Sequence, residues 1–353
     1  MSARYEICVL PGDGIGPEVT RAAIGVLEAA AEAYGFSFAF TERLFGGAAI
    51  DAVGNPYPDE TRASCLASDA VFFGAVGGPR WGHGPVRPET GIFELRSSLQ
   101  AYANLRPIRS WWSGTVSPLR PELVEGLDLL IVRELTGGLY FGERGRDANG
   151  AFDTLSYSVA EIQRILRQGF RLAQSRRGHL TSVDQANVLD TSRLWHDLAD
   201  ELAPEYPDVR LDHQLVDSMT MKLVEQPTAY DVIVTENLFG DILSDLAASI
   251  SGGIGLAPSA SLADDGPGIF EPIHGTAPDI AGSGRANPVA MILTGAMMLR
   301  ELGEERAADA IETATRQVLE DGPRTPDLGG SSNTDEVAAA VLSTLRTTAS
   351  TTR

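Results

Sequence analysis

Lysine is almost absent: Lys222 is the only one in 353 residues, so arginine carries nearly all of the positive charge. Basic runs are missing too, and 28 Lys+Arg stand against 48 Asp+Glu, for a net charge of −20. A field of that sign repels phosphate backbones and anionic lipid, so no nucleic acid and no membrane surface is expected as a partner. Cysteine is limited to Cys8 and Cys65, in neither a CxxC nor a Cys/His zinc spacing, which excludes a disulfide framework. Both fall in apolar or helical patterns and read as buried thiols in a reducing compartment. No run of about 18 apolar residues exists to span a bilayer. Met1–Leu10 carries Glu6 inside its apolar stretch and is too short for a secretion signal. The expectation is a soluble, acidic, cytoplasmic protein.

What is present is ordinary globular composition, with 43% hydrophobic and 22% charged residues, so the chain is neither disordered nor collagen-like. At about 150 residues per domain its length suggests two domains. Short β-branched or apolar runs alternate with longer helical patterns, the mark of an α/β fold. The spacing predicts strands at Glu6–Leu10, Phe38–Leu44, Val71–Phe73, Leu129–Val132, Leu180–Val183 and Asp231–Thr235. It predicts helices from Pro17 to about Tyr34 and over Ser158–Arg176, Thr191–Leu202, Pro288–Leu302, Glu305–Glu320 and Thr334–Leu345. Gly74–Pro88, Gly252–Pro267 and Pro323–Gly330 read as loops, and Thr347–Arg353 as a frayed tail.

Leu10–Glu18 follows a strand and opens a helix, but its glycines, Gly12, Gly14 and Gly16, miss the Gly-x-Gly-x-x-Gly spacing of a dinucleotide fingerprint. Glu32 stands where the ribose carboxylate would be sought, and it lies inside a helical pattern. The segment therefore reads either as a plain strand–helix turn or as one that touches a cofactor by another geometry. Asn237–Asp245 follows the strand Asp231–Thr235, and Asp241 and Asp245, four apart, share one helix face. Such a pair either holds a hard cation such as Mg²⁺ or Mn²⁺ or belongs to a solvated acidic face. Ile242, Leu243 and Leu246 predict that the segment packs closely.

Arg96, Arg106 and Arg133 supply guanidinium forks suited to a di- or tricarboxylate, although each taken singly reads more readily as a structural ion pair. Tyr140, set among Gly137, Gly138 and Gly142, is a candidate proton donor or an aromatic plug. Glu271–Gly282 is rich in turn residues and contains Asp279, a carboxylate able to accept from a ribose diol. His274 within it reads alone as a structural histidine.

Taken together, Leu10–Val19, Phe45–Asp51, Val132–Gly142, Asn237–Asp245 and Phe270–Gly282 resemble the β-decarboxylating dehydrogenases, the isocitrate/isopropylmalate family, most closely its isopropylmalate branch. The likeness runs from Val9 to about Thr344. It implies a non-Rossmann α/β fold in two domains with a central cleft. The first, cofactor-side domain would take residues 1–100 plus 252–353, and the second, for dimerisation and metal and substrate binding, 101–251. It also implies a homodimer with shared active sites and NAD-dependent oxidation of a 3-substituted malate with loss of CO₂. The expected substrate is (2R,3S)-3-isopropylmalate, giving 4-methyl-2-oxopentanoate in leucine biosynthesis.

The same resemblance implies residue roles. Arg96, Arg106 and Arg133 would grip the malate carboxylates. Asp241 and Asp245, with Asp217 of the partner subunit, would hold Mg²⁺ or Mn²⁺ beside the substrate hydroxyl. Tyr140 would protonate the enol. Gly74, Gly77, Gly78 and Glu89 would lie near the nicotinamide, with Glu271 also on the cofactor. His274, Gly275, Ala277, Asp279 and Asn287 would line the adenosine side. Asp279 followed by Ile280 favours NAD, because a carboxylate repels a 2′-phosphate.

Two segments depart from the family. Gln185 stands where the family has a lysine that helps remove the hydroxyl proton, and an amide cannot titrate. Asp217 is then expected to carry the step, slowly. Ile92 and Phe93 replace two leucine-like residues in the segment from Glu89 to Arg96, which would line the pocket for the substrate's side chain. Phe93 is the bulkier of the two. The alternatives that follow are a specialised relative acting on another substituted malate, or a catalytically impaired ligand-binding form.

Overall fold

The computed structural model describes residues 3–82, 86–111 and 116–351. The chain divides into two compact units. One takes the described residues of Met1–Ala101, Trp111–Val116 and Gly252–Arg353, the other Tyr102–Ser110 and Ser117–Ser251. Each contains five strands of an α/β sheet, mostly parallel, as the alternating pattern predicts.

In the first unit the strands run in the order Ser37–Glu42, Arg4–Gly12, Ala70–Ala75, Gly268–Phe270, Ala260–Leu262. Only the last is antiparallel to its neighbour, Ala260 pairing with Phe270. It lies inside Gly252–Pro267, which the sequence reading treats as loop; three residues between glycines and prolines carry too little periodicity to register. The helix Gly16–Tyr34 has Pro17 at its start, Glu18 in its first turn and Gly35 closing it in the left-handed conformation (φ 86°). Its buried face (Val19, Ala23, Val26, Leu27, Ala30) joins Ile292, Ala296, Ile311 and Val341 in one core. Cys8 and Cys65 are both buried thiols, their sulfurs 3.6 Å apart.

The second unit orders its strands Ala103–Arg109, Asp128–Glu134, Val232–Thr235, His179–Asp184, Arg210–Leu215. Here Ala103–Arg109 is the antiparallel member, pairing Asn104 with Arg133. The helix Val159–Gln174 opens on a reciprocal capping box between Ser158 and Glu161, a device worth about 1 kcal/mol.

Two further expectations need correction. The final helix runs Thr334–Thr351, so the tail expected to fray is helical over Thr347–Thr351. The Thr347 and Thr348 hydroxyls donate back to the Ser343 and Thr344 carbonyls, a local bond that lets polar threonines continue a helix. Ile242 does not pack inward: it is 52% exposed, while Leu243, the next residue along the helix, is fully buried.

Candidate active site

The second unit gathers five of the expected site residues. Val232–Thr235 is buried throughout, and Glu236 at its end accepts from the Phe239 N–H at 3.0 Å, capping the helix Asn237–Ile250. That cap fixes the helix so that Asp241 and Asp245 project from one face. On the neighbouring strand Asp128–Glu134, Arg133 is 3% exposed and donates from Nη1 to Asp241 Oδ1. Its Nε and Nη2 reach Asn237 Oδ1 at 3.0 and 2.7 Å. Gly240 makes this possible, since a Cβ there would lie 2.6 Å from Arg133 Cγ.

Arg106, also buried, is aligned by Asn104 Oδ1 (2.7 Å) and Ser244 Oγ (2.5 Å). Its Nη1 stands 3.5 Å from Asp241 Oδ1 and 3.8 Å from Asp245 Oδ1. The Tyr140 hydroxyl donates to the other Asp241 oxygen at 3.2 Å. Two guanidiniums and two carboxylates thus alternate with no net charge, so adding a divalent cation and a dianionic substrate keeps the balance.

These neighbours push the two carboxyls apart. Burial raises Asp241, but the Arg133 and Arg106 charges outweigh it and hold the group below the ordinary aspartate range. At Asp245 burial wins over the Arg106 charge, the ionised Asp241 adds to it, and the carboxyl is pushed up. Burial, reinforced by the Asp241 charge, raises the Tyr140 phenol, so it remains a proton donor through neutral pH. Hard oxygens at Asp241 and Asp245, one kept ionised, suit Mg²⁺ or Mn²⁺. Asp217 is exposed at the start of the helix Val216–Glu225 and forms no metal-competent group with Asp241 and Asp245 among the described residues of its own chain.

Gln185 follows the strand His179–Asp184, with its Oε1 buried and without a hydrogen-bond donor. Beneath the site, fully buried Glu134 accepts from Arg164 Nη2 (2.9 Å) and the Gly137 N–H (2.7 Å), fixing the turn that leads to Tyr140. Glu134, Asn237, Asn104 and Ser244 escaped sequence reasoning. A charge at the end of a buried strand and a glycine inside a helix were the available signals.

The first unit holds the remaining expected residues. Arg96 Nη2 is 3.0 Å from Glu271 Oε1 in a buried ion pair, so these two, assigned separately to substrate and cofactor, are brought together. A Cβ on Gly77 would lie 2.9 Å from Glu89 Oε1, placing that pair side by side as well. Ile92 is buried among Phe73, Leu95 and Leu99 and Phe93 is half-buried, so Ile92 contributes to the core. At Gly74 a Cβ would meet Pro11 O at 2.5 Å, so fold packing alone accounts for the glycine.

Packing also explains the Gly12–Gly16 turn. Cβ atoms on Gly12 and Gly14 would lie 1.9 Å from Ala75 O and 2.1 Å from Thr276 O. The turn is closed against its own protein, which agrees with the failed Rossmann spacing. Asp13, which sequence reasoning passed over, ties it together by accepting from the Gly47, Ala48 and Gly77 N–H groups at 2.8, 2.8 and 2.9 Å.

Around His274, burial lowers the imidazole pKa, so the ring stays neutral. Its Nδ1 faces Gly275 O at 3.0 Å and Nε2 is buried without a partner. That orphaned acceptor suits the exocyclic amine of a nucleotide base. Asp279 and Gly275 are exposed, Ile280 is half-buried, and Ala277 has a positive φ of 37°. Asn287 spends its amide on Asp327 Oδ2 (2.9 Å) and the Val289 N–H (3.0 Å). The residues present therefore fit a dinucleotide at His274 and Asp279 better than at Asn287.

The chain is similar to known proteins. Residues 6–341 match the family described as isocitrate/isopropylmalate dehydrogenase. A 3-isopropylmalate dehydrogenase of Geobacillus kaustophilus is 52% identical, covering 96% of each chain. The protein of that name from Bacillus subtilis is 50% identical over 96% of this chain and 98% of its own. Among solved structures, isocitrate dehydrogenase from Methylococcus capsulatus superposes with a TM-score of 0.89 at 40% identity, covering 97% of this chain and 99% of the other. A β-decarboxylating dehydrogenase from Thermococcus kodakarensis gives 0.83 at 37%, covering 98% and 97%. The chain belongs to the isocitrate/isopropylmalate dehydrogenase family.

Proposed function

We propose that the protein oxidises (2R,3S)-3-isopropylmalate with NAD to 4-methyl-2-oxopentanoate and CO₂, a step of leucine biosynthesis, and that it works in the cytoplasm as a homodimer. The observation that carries this reading is the alternation of Arg106 and Arg133 with Asp241 and Asp245, with Tyr140 hydrogen-bonded to Asp241. Relatives named 3-isopropylmalate dehydrogenase at 50–52% identity favour this substrate over another substituted malate or a merely ligand-binding role.

On this reading Arg106 and Arg133 bind substrate carboxylate, each preset by an amide partner, Asn104 or Asn237. Arg96 is the third proposed donor. Asp241 and Asp245, joined by Asp217 of the partner subunit, would hold Mg²⁺ or Mn²⁺. Bound there, the ion would acidify the substrate hydroxyl and stabilise the charge left by decarboxylation, while NAD accepts hydride. Tyr140, kept protonated, delivers the proton to the carbon that loses CO₂. Proton removal from the hydroxyl falls to the region of Gln185 and the partner subunit's Asp217.

In the first, cofactor-side unit Gly77 and Glu89 would flank the nicotinamide, and His274, Gly275, Ala277, Asp279 and Ile280 the adenosine. Asp279 selects NAD, because its carboxylate accepts ribose hydroxyls and repels a phosphate. The homodimer is supported by Met221 and Val224 on one helix and Ile242 on the helix packed against it, all exposed.

The test measures NADH formation from 3-isopropylmalate, isocitrate and D-malate with Mn²⁺, and repeats it with NADP. Turnover greatest with 3-isopropylmalate and NAD is expected. Preference for isocitrate or NADP ends the proposal.

A further inference from the structure

The five histidines include two, His196 and His213, that none of the proposed roles uses and that meet each other. The strand His179–Asp184 ends on Asp184, and its neighbour Arg210–Leu215 places His213 opposite Ser182, on the face Asp184 shares. The helix Asp190–Leu202 carries His196 and, one turn later, Asp200. The His196 and His213 rings stack with centroids 3.7 Å apart and planes 26° from parallel.

Their nitrogens are sorted. The Nδ1 atoms face Asp184 Oδ2, His196 at 3.1 Å and His213 at 4.0 Å. The Nε2 atoms face Asp200, His213 at 3.1 Å and His196 at 3.9 Å. Asp200 receives the outer N–H of His213, which fixes the tautomer that leaves that ring's inner Nδ1 lone pair free, and this atom is buried without a hydrogen-bond partner. His196 Nδ1–H donates to Asp184 Oδ2, a proton that a bound metal ion would replace. The carboxylate both rings face, Asp184, is 3% exposed, and no arginine or lysine pairs with it among the described residues.

We propose that Asp184, His196 and His213 bind one divalent transition-metal ion of the Zn²⁺ class, at a site separate from the aspartates Asp241 and Asp245. A tetrahedral shell with bonds of about 2.0–2.1 Å puts ligand atoms roughly 3.4 Å apart. One atom from each of the three residues already lies within 4.8 Å of the others. Stacked rings must splay for both lone pairs to converge, and His196, 36% exposed, has room to swing. Imidazole nitrogens select against Mg²⁺ and Mn²⁺, which prefer oxygen. Asp200 holds the rings from behind, and the partly exposed rings leave the fourth position to water.

The site is tested by titrating the protein with Zn²⁺ against a chromophoric chelator, in excess Mg²⁺ that occupies the carboxylate site. One Zn²⁺ per chain is expected, retained in Asp245→Asn and weakened at least tenfold in His196→Gln and His213→Gln. Asp200→Asn, which removes no ligand, should weaken it by about 10–100-fold. X-ray absorption at the zinc edge should show a nitrogen-containing shell at about 2.0–2.1 Å. His196→Gln should keep its circular dichroism and its Mg²⁺-dependent dehydrogenase rate. Equal Zn²⁺ affinity in both histidine variants, or loss of the ion only in Asp245→Asn, overturns the proposal.

Discussion

The Tyr140 hydroxyl donates to Asp241 Oδ2 at 3.2 Å, on the carboxylate whose other oxygen accepts from Arg133. A proton donor is thereby tied to a carboxylate proposed as a metal ligand. Tyr140→Phe keeps the ring over Arg133 and removes only the proton. The expected loss in kcat is about 10²–10⁴-fold with NAD affinity unchanged. Because the protonation step slows, the deuterium isotope effect on hydride transfer should shrink toward unity. A full isotope effect in the variant would show that Tyr140 acts before decarboxylation.

Arg133 is buried, and three of its nitrogens are spent on Asn237 and Asp241. Arg133→Met leaves the Asn237 oxygen with fewer donors and Asp241 without its nearest cation. A stability loss of about 1–3 kcal/mol is expected from urea unfolding. Substrate KM should rise as well, which a purely structural role would not require.

The opposed shifts of Asp241 and Asp245 set the pH dependence of metal binding. Asp241 is held low and stays ionised, while Asp245 is pushed up and takes a proton first as pH falls. The metal needs both carboxylates, so affinity declines on the acid side of neutrality with a slope of about one proton. Calorimetric Mn²⁺ titrations at several pH values check this. In Asp245→Asn the affinity should drop and the slope disappear.

Asp13 offers a test in the first unit. Its two oxygens serve three backbone N–H groups from two separate segments, and Asp13→Asn leaves one oxygen for all three. Each orphaned donor costs about 1–3 kcal/mol, so a lower Tm is expected. NAD affinity should weaken with it, since Gly77 is one of the three donors. Fluorescence titration with NADH reads the second effect.

The sequence made some of this legible and hid the rest for physical reasons. Alternating periods revealed the α/β class, and the four-residue spacing placed Asp241 and Asp245 on one face. Arg133 stood out as a charge ending an apolar strand. Its partner Asn237 did not, because 104 positions separate them and a polar residue at a helix start looks like any cap. Arg96 and Glu271 lie 175 apart, and no local pattern couples them. Ile242 misled because periodicity identifies an apolar residue without saying whether its own chain or a second copy covers it.

Position 185 gives the sharpest test of the chemistry. Gln185 buries an amide oxygen without a donor, an arrangement that costs stability, and its side chain cannot take a proton. The family resemblance places a lysine there. An amine at this depth would have its pKa lowered by burial toward the range of a working base. Gln185→Lys should therefore raise kcat, by an amount within the roughly 10²–10⁴-fold worth of a general base. It should also add an ionisation to the acid limb of the kcat profile, below which the amine is protonated and inactive. Both effects come from one steady-state series across pH with 3-isopropylmalate. If kcat falls instead and no new ionisation appears, the amide itself orients the substrate, and proton removal runs through the partner subunit's Asp217.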